Sequence, residues 1–171
     1  MAEQEKIDIL VGSSGKDKLP QLIDEALRQR CEPIVELHDV RTSAEFEMLP
    51  LDEFEHQTRA YLKVQDGCNQ FCTYCIIPYA RGRVRSRKIS QVIEEVQTLA
   101  ARGYKEVVLT GIHLSSYGLD FPEKERETLL SLIKAVHEVQ GIQRIRLGSL
   151  EPRIITEEFV QAIAALPKMC L

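Results

Sequence analysis

The chain has 171 residues, 44% of them hydrophobic and 28% charged, which gives room for one packed domain, or a domain plus an appendage, of ordinary soluble composition. No run approaches the roughly 18 apolar residues of a membrane span, and the opening MAEQEKIDIL has acids where a secretion signal has a basic-then-apolar run, so no membrane partner and a cytoplasmic location are expected. The net charge of −4 conceals a division: residues 1–58 hold 6 bases and 14 acids, residues 59–88 hold 7 bases and 1 acid, and the remainder 9 bases and 11 acids.

Residues 7–12, IDILVG, have the pattern of a buried strand ending in a glycine turn. The overlapping VGSSGKDK (11–18) is not a phosphate loop, because two serines stand between its glycines where the G-x4-G-K-S/T form needs four residues. A helix is predicted over 18–30, with Leu19, Leu22, Ile23, Ala26 and Leu27 in one stripe and Pro20 in its first turn. Residues 31–58 are acidic and aperiodic and read as a linker with a short extended piece near Ile34–Leu37. From residue 60 the pattern becomes strand then helix, repeated. YLKVQ (61–65) is strand-like, and Ser90 is expected to cap a helix to Ala101, with Val92, Ile93, Val96, Leu99 and Ala100 inward and Gly103 as its stop. EVVLTG (106–111) reads as a parallel strand covered on both faces. Leu129, Leu132, Ile133, Val136 and Val139 line a second helix, IQRIRLG (142–148) alternates as a strand, and Glu157 and Glu158 open a third helix after Thr156 that stops before Pro167. The result is about three βα units, right-handed by the usual rule.

Between the first of these strands and its helix lies GCNQFCTYC (67–75), which gathers three of the five cysteines, Cys68, Cys72 and Cys75, on one loop. Three soft ligands at C-x3-C-x2-C spacing suit an iron–sulfur cluster or zinc. A structural zinc site wants a fourth ligand; His56 and His113 are the nearest candidates, and neither has finger-like spacing. On a four-iron cluster, three ligands leave one iron open as a binding site. The competing reading is zinc or reduced core thiols. Cys31 and Cys170 fall outside any cluster spacing.

The stretch CNQFCTYC resembles the signature of the radical S-adenosylmethionine superfamily. The resemblance implies that Cys68, Cys72 and Cys75 hold a 4Fe-4S cluster whose open iron chelates S-adenosyl-L-methionine, which the reduced cluster cleaves to a 5′-deoxyadenosyl radical. KVQDGCNQFCTYCIIPYARGRVRSR (63–87), LTGIHLSSYG (109–118) and RIRLGSLEP (144–152) are similar to the methylthiotransferases of that superfamily, and most of all to the branch acting on N6-threonylcarbamoyladenosine at position 37 of tRNA. The fold implied is α/β: a partial radical-SAM (β/α) barrel over 59–171, preceded by a linker (31–58) and by the last strand–helix of an N-terminal α/β domain (1–30).

Several further expectations follow from that resemblance. Tyr74 would lie near the adenine of the cofactor, and Thr110 and Gly111 near its amino acid moiety, unless they form only an ordinary βα turn. Glu151, at the face where βα sites form, would reach the ribose or the substrate, unless it is a solvated loop carboxylate. Arg81, Arg83, Arg85, Arg87 and Lys88 offer phosphate contacts for tRNA or form a solvated face before a helix. Phe71 and Tyr79 supply stacking surfaces or core packing, and His113 stands close to the substrate loop without a catalytic role. The expected partners are tRNA, an external electron donor and a sulfur donor. Members of the family also carry an earlier set of three cysteines for a second 4Fe-4S cluster, later barrel strands and an RNA-binding domain. None of these is in this sequence, which therefore reads as an internal piece expected to cleave the cofactor slowly and to fail at complete methylthio transfer. Two other readings remain: a ribosomal-protein methylthiotransferase, and a non-catalytic iron–sulfur or nucleic-acid-binding module.

Overall fold

The structure, a computed structural model, describes residues 7–28, 32–42, 46–48 and 58–170; Cys31 and His56 lie outside these. Strands β1 (Ile9–Val11) and β2 (Ile34–Glu36) pair in parallel, Ile9 opposite Ile34. The extended piece expected near Ile34–Leu37 thus shares a sheet with the first strand. Between them, a 3-10 turn at Lys16–Lys18 leads into α1 (Leu19–Arg28). Of its apolar stripe, Leu22 and Ala26 are half-buried, whereas Leu19, Ile23 and Leu27 are exposed.

The larger sheet begins with β3 (Ala60–Asp66). After the cysteine loop come a short helix α2 (Ile77–Arg81), a two-residue strand β4 (Arg85–Ser86) and α3 (Ile89–Ala101). Then follow β5 (Glu106–Gly111), α4 (Leu129–Glu138), β6 (Arg144–Leu147) and α5 (Glu157–Ala164). The strand order is β4-β3-β5-β6, with β3, β5 and β6 parallel and β4 antiparallel to β3. This is a β/α arrangement with a mixed, unclosed sheet. Residues 168–170 extend it: Met169 bridges Ile145 in parallel, Ile145 N donates to Lys168 O at 2.7 Å, and Cys170 N donates to Ile145 O at 3.0 Å.

The strand period of two explains where the core sits. Ala60, Leu62 and Val64 of β3, Val107 and Leu109 of β5, and Ile145 of β6 face one way. They meet Val92, Val96 and Leu99 of α3, Leu132, Ile133 and Val136 of α4, and Phe159 and Ile163 of α5. Each large apolar side chain taken out of water contributes about 1.5–3 kcal/mol, and this layer holds the strand ends, and hence the loops, in place.

Both faces of β5 are buried over 106–109: Val107 and Leu109 join the helix-covered core, and the other face carries Val108 and Glu106. That carboxylate accepts from Arg144 Nε at 2.8 Å and Arg146 Nε at 2.7 Å, with Arg59 Nη1 at 3.6 Å. The hydrogen bonds from Arg144 and Arg146 hold it below the usual glutamate range. Ser90 does not cap α3, because the helix starts one residue before it, at Ile89, after Lys88. The acceptor comes from far along the chain, where Glu127 Oε2 takes the Ile89 N–H at 2.7 Å and also favours the positive helix end. Thr128 and Thr156 cap α4 and α5, accepting from Ser131 N at 3.1 Å and Phe159 N at 3.2 Å. Among the described residues no helix is long and apolar enough to cross a membrane.

Candidate iron–sulfur site

The cysteine loop is built by the end of β3. A register shift between Lys63 and Gln65 sets Gln65 opposite Gly111; bulges of this kind often stand beside functional loops. The chain then turns at Asp66–Gly67. Gly67 has φ +71°, and a Cβ there would fall 1.9 Å from Arg83 O, so only glycine fits. Asp66 Oδ1 accepts the Gly67 N–H at 2.8 Å, Oδ2 takes Lys63 Nζ at 2.6 Å, and Arg85 Nη2 lies 3.4 Å away. Burial pushes the Asp66 carboxyl up, but Lys63, the Gly67 N–H and Arg85 outweigh it and hold it below its ordinary value.

Downstream, the loop closes on residues 82–84. Cys68 N donates to Gly82 O at 3.1 Å, and Val84 N donates to Asn69 Oδ1 at 3.2 Å. Inside it, Cys75 N donates to Cys72 O at 2.9 Å and Gln70 N points at Cys68 Sγ at 3.5 Å. Phe71, at φ +48°, packs edge-on to Tyr79 with ring centres 5.6 Å apart. Cys68 is buried, Cys75 half-buried and Cys72 exposed, all as free thiols. Among the described residues no three Cys, His, Asp or Glu side chains converge as ligands of a single ion. The cysteines of a 4Fe-4S cluster bind different irons and need not meet at one point. The three-thiol donor set, with a backbone N–H directed at one sulfur, fits an iron–sulfur cluster.

The loops after β5 and β6 meet this loop at the same end of the sheet. Thr110 Oγ1 donates to Leu62 O at 3.2 Å, so its hydroxyl ties β5 to β3. His113 N donates to Gln65 Oε1 at 2.7 Å, and its Nδ1 lies 2.6 Å from Ser116 Oγ. Its Nε2 stands 3.3 Å from Glu151 Oε2, an ion-pair distance without hydrogen-bond geometry. Glu151 N donates to Ser115 Oγ at 2.8 Å, and Arg153 Nη2 bridges Glu151 Oε2 and Gln70 Oε1, both at 3.2 Å. Glu151 is therefore linked to the cysteine loop through Arg153 and Gln70, Gly111 abuts Gln65, and Thr110 stands against the middle of β3, whereas Tyr74 projects with 91% exposure.

The basic segment divides. Arg83 and Lys88 are exposed and Arg81 is half-buried. Arg85 and Arg87 are 4% exposed each, and for them the phosphate expectation is corrected. Arg85 Nη2 donates to Arg81 O at 2.9 Å beside Asp66. Arg87 Nη1 pairs with Glu95 at 2.7 Å, its Nη2 donates to Gln91 O at 3.2 Å, and Phe46 stacks on it at 5.9 Å. Alternation does not explain the division, because all four arginines would share one face; the pairing of Arg85 and Ser86 with β3 and the Glu95 partner of Arg87 turn these two inward.

Two positions escaped the sequence reading: Gln65, fully buried with its amide between two loops, and Arg153, which joins the β6 loop to the cysteine loop. Gln65 had one signal, an uncharged polar residue at the end of an apolar alternation. Arg153 had none, as its partner lies 83 residues away.

A three-cysteine loop at the carboxyl end of β3, in a mixed β/α sheet, defines an iron–sulfur radical class of protein. The sequence profile of the Radical SAM superfamily matches residues 62–168, and the chain belongs to that superfamily. More narrowly, it is 41% identical over 157 residues to the threonylcarbamoyladenosine tRNA methylthiotransferase MtaB of Bacillus subtilis, covering 92% of this chain and 34% of that protein. It is 37% identical over 164 residues to the tRNA-2-methylthio-N(6)-dimethylallyladenosine synthase of Clostridium tetani, covering 96% and 35%. The chain spans about a third of the length of these relatives. Among solved structures, a radical S-adenosylmethionine methyltransferase from Kitasatospora setae overlaps 63% of this chain and 27% of its own, with 17% identity and a TM-score of 0.35.

Proposed function

We propose that this chain is the cluster-bearing part of a tRNA methylthiotransferase acting on N6-threonylcarbamoyladenosine. The observation that carries the reading is the C-x3-C-x2-C loop, seated where the β5 and β6 loops meet it, in a sequence related to enzymes of that name. Cys68, Cys72 and Cys75 would hold the 4Fe-4S cluster. When bound, it supplies one-electron cleavage of S-adenosyl-L-methionine, with the electron from an external donor. The protein's part is to position and to exclude water. Thr110 and Gly111, at the β5 end, would face the cofactor's amino acid moiety, Glu151 offers an acceptor to its ribose or to substrate, and Tyr74 offers a face to its adenine. Arg81, Arg83 and Lys88 provide the phosphate contacts, with salt-dependent affinity. The sulfur donor and a second cluster belong to the longer protein of which this chain corresponds to a part, and residues 1–30 correspond to the end of its preceding domain.

The polar substituent of threonylcarbamoyladenosine, rather than an apolar dimethylallyl group, is favoured by the sequence blocks at 63–87, 109–118 and 144–152 together. The test is anaerobic reconstitution with iron and sulfide. About four irons per chain and 5′-deoxyadenosine formed under strong reductant are expected, whereas a redox-silent zinc protein would refute the reading. For the substrate, the gene is deleted in its host and the tRNA nucleosides are weighed. Loss of the methylthio group from threonylcarbamoyladenosine supports the proposal; loss from dimethylallyladenosine, or from a ribosomal protein instead, refutes it.

A further inference from the structure

We infer that Gln65 is a positioning residue that sets the spacing between the cysteine loop and the loop after β5, so that cofactor binding at one is felt at the other. The inference rests on the cluster reading above and concerns a side chain whose hydrogen bonds go to the backbone of residues 66, 67 and 113.

Gln65 is fully buried, and its amide is committed at both ends. Nε2 donates to Asp66 O at 2.8 Å and to Gly67 O at 2.7 Å, the two carbonyls that lead into Cys68. Oε1 accepts the His113 N–H at 2.7 Å, at the start of the β5 loop. Both donor hydrogens are therefore used, and the acceptor faces the opposite way. A side chain at 111 would meet Gln65 Oε1 at 2.7 Å and its Cβ at 2.9 Å, so the glycine ending β5 makes the space this amide occupies. The register shift at Lys63–Gln65 brings the two residues opposite each other. Any buried amide must satisfy its donors and its acceptor; this one does so directly across two loops that meet at the candidate site.

The geometry separates the two ends. Gln65→Glu keeps the acceptor for His113 but places a carboxylate oxygen against the Asp66 and Gly67 carbonyls. Gln65→Met keeps the length and removes both ends. Two measurements are made on each variant of the whole chain. In the iron-free protein, amide exchange is followed at His113 and across 68–75. In the reconstituted protein, iron content, S-adenosyl-L-methionine affinity and the change in the reduced cluster's electron paramagnetic resonance on adding S-adenosyl-L-methionine are recorded.

Losing one or two buried hydrogen bonds is expected to speed exchange about tenfold or more. In Gln65→Met this appears at His113 and in the loop; in Gln65→Glu it appears in the loop, with His113 protected. Both variants keep the iron content of the parent, while affinity falls about tenfold and the spectral change shrinks. Exchange as slow as in the parent at both places overturns the inference. So does a full spectral response in both variants. If the parent chain takes up iron but shows no response to the cofactor, or takes up no iron, the cluster reading fails instead, and the exchange measurement still decides whether Gln65 spans the loops.

Discussion

Gly67→Ala should be the most damaging single methyl group that can be added to the cysteine loop. Two costs combine. At φ +71° the left-handed backbone costs an alanine about 1–2 kcal/mol. The new Cβ would sit 1.9 Å from Arg83 O, so that carbonyl must retreat about 1.1 Å to reach even 3.0 Å. Arg83 lies between Gly82, whose O accepts Cys68 N at 3.1 Å, and Val84, whose N donates to Asn69 Oδ1 at 3.2 Å. Losing both hydrogen bonds adds about 2 kcal/mol. The sum is about 3–4 kcal/mol, a large part of the 5–15 kcal/mol that holds a domain together. Gly103→Ala supplies the comparison: φ is +97° and nothing lies within 4 Å of the added Cβ, so only the backbone cost of about 1–2 kcal/mol applies. In urea, with a slope near 2 kcal/mol per molar, the Gly67 variant should unfold about 1 M earlier than the Gly103 variant. Iron uptake should fall with it. Equal midpoints for the two variants would show that residues 82–84 do not clamp the loop and would refute this reasoning.

Cys72→Ala leaves two thiolates for four irons and should abolish stable cluster assembly and 5′-deoxyadenosine formation, whereas Cys170→Ala should spare both; iron content and product are measured on the same samples. Asp66 has a carboxyl held below its ordinary value of 3.8, so its stabilising effect is present above that pH and is lost as the pH falls through the lowered folded value. Urea midpoints should therefore separate parent and Asp66→Asn at pH 7, with the gap closing below about pH 4; a constant gap would exclude an ionic contribution. Arg87→Ala strands Glu95 and should cost about 3 kcal/mol of stability, measured by denaturation, with little change in tRNA affinity per folded molecule. Arg83→Ala and Lys88→Ala should leave stability within about 0.5 kcal/mol but lower tRNA affinity and flatten its salt dependence, as read by filter binding across a salt series.

The repeating part of the fold was legible because each element announces itself locally. Val92, Val96 and Leu99 recur at helical spacing, Ile145 sits in strict alternation, and Thr156 is followed at once by two acids. The cysteine loop was legible for the same reason, its three thiols being adjacent in the chain. What escaped depended on partners far away in sequence. Glu127 caps α3 from 38 residues beyond Ile89, which made Ser90 the reasonable local choice. Arg85 and Arg87 looked like surface charge because their partners, Asp66 and Glu95, lie on other elements. The strand β4 is only two residues long, below the length at which alternation carries information. Gln65 acts through backbone atoms, which no side-chain pattern records.

That brief strand has a directional consequence. On its side of the sheet, Asp66 and Gln65 are already paired with Arg85 and Ser86, and Ser86 is itself fastened by Asp120, which accepts its N–H at 2.9 Å and its hydroxyl at 2.6 Å. On the far side, β6 has taken Met169 as a parallel neighbour. The end of β3 that leads into the cysteine loop is thus flanked on both sides, by β4 and by β5. The ribbon of two residues works as a brace, holding the last turn before the thiols from the side opposite β5.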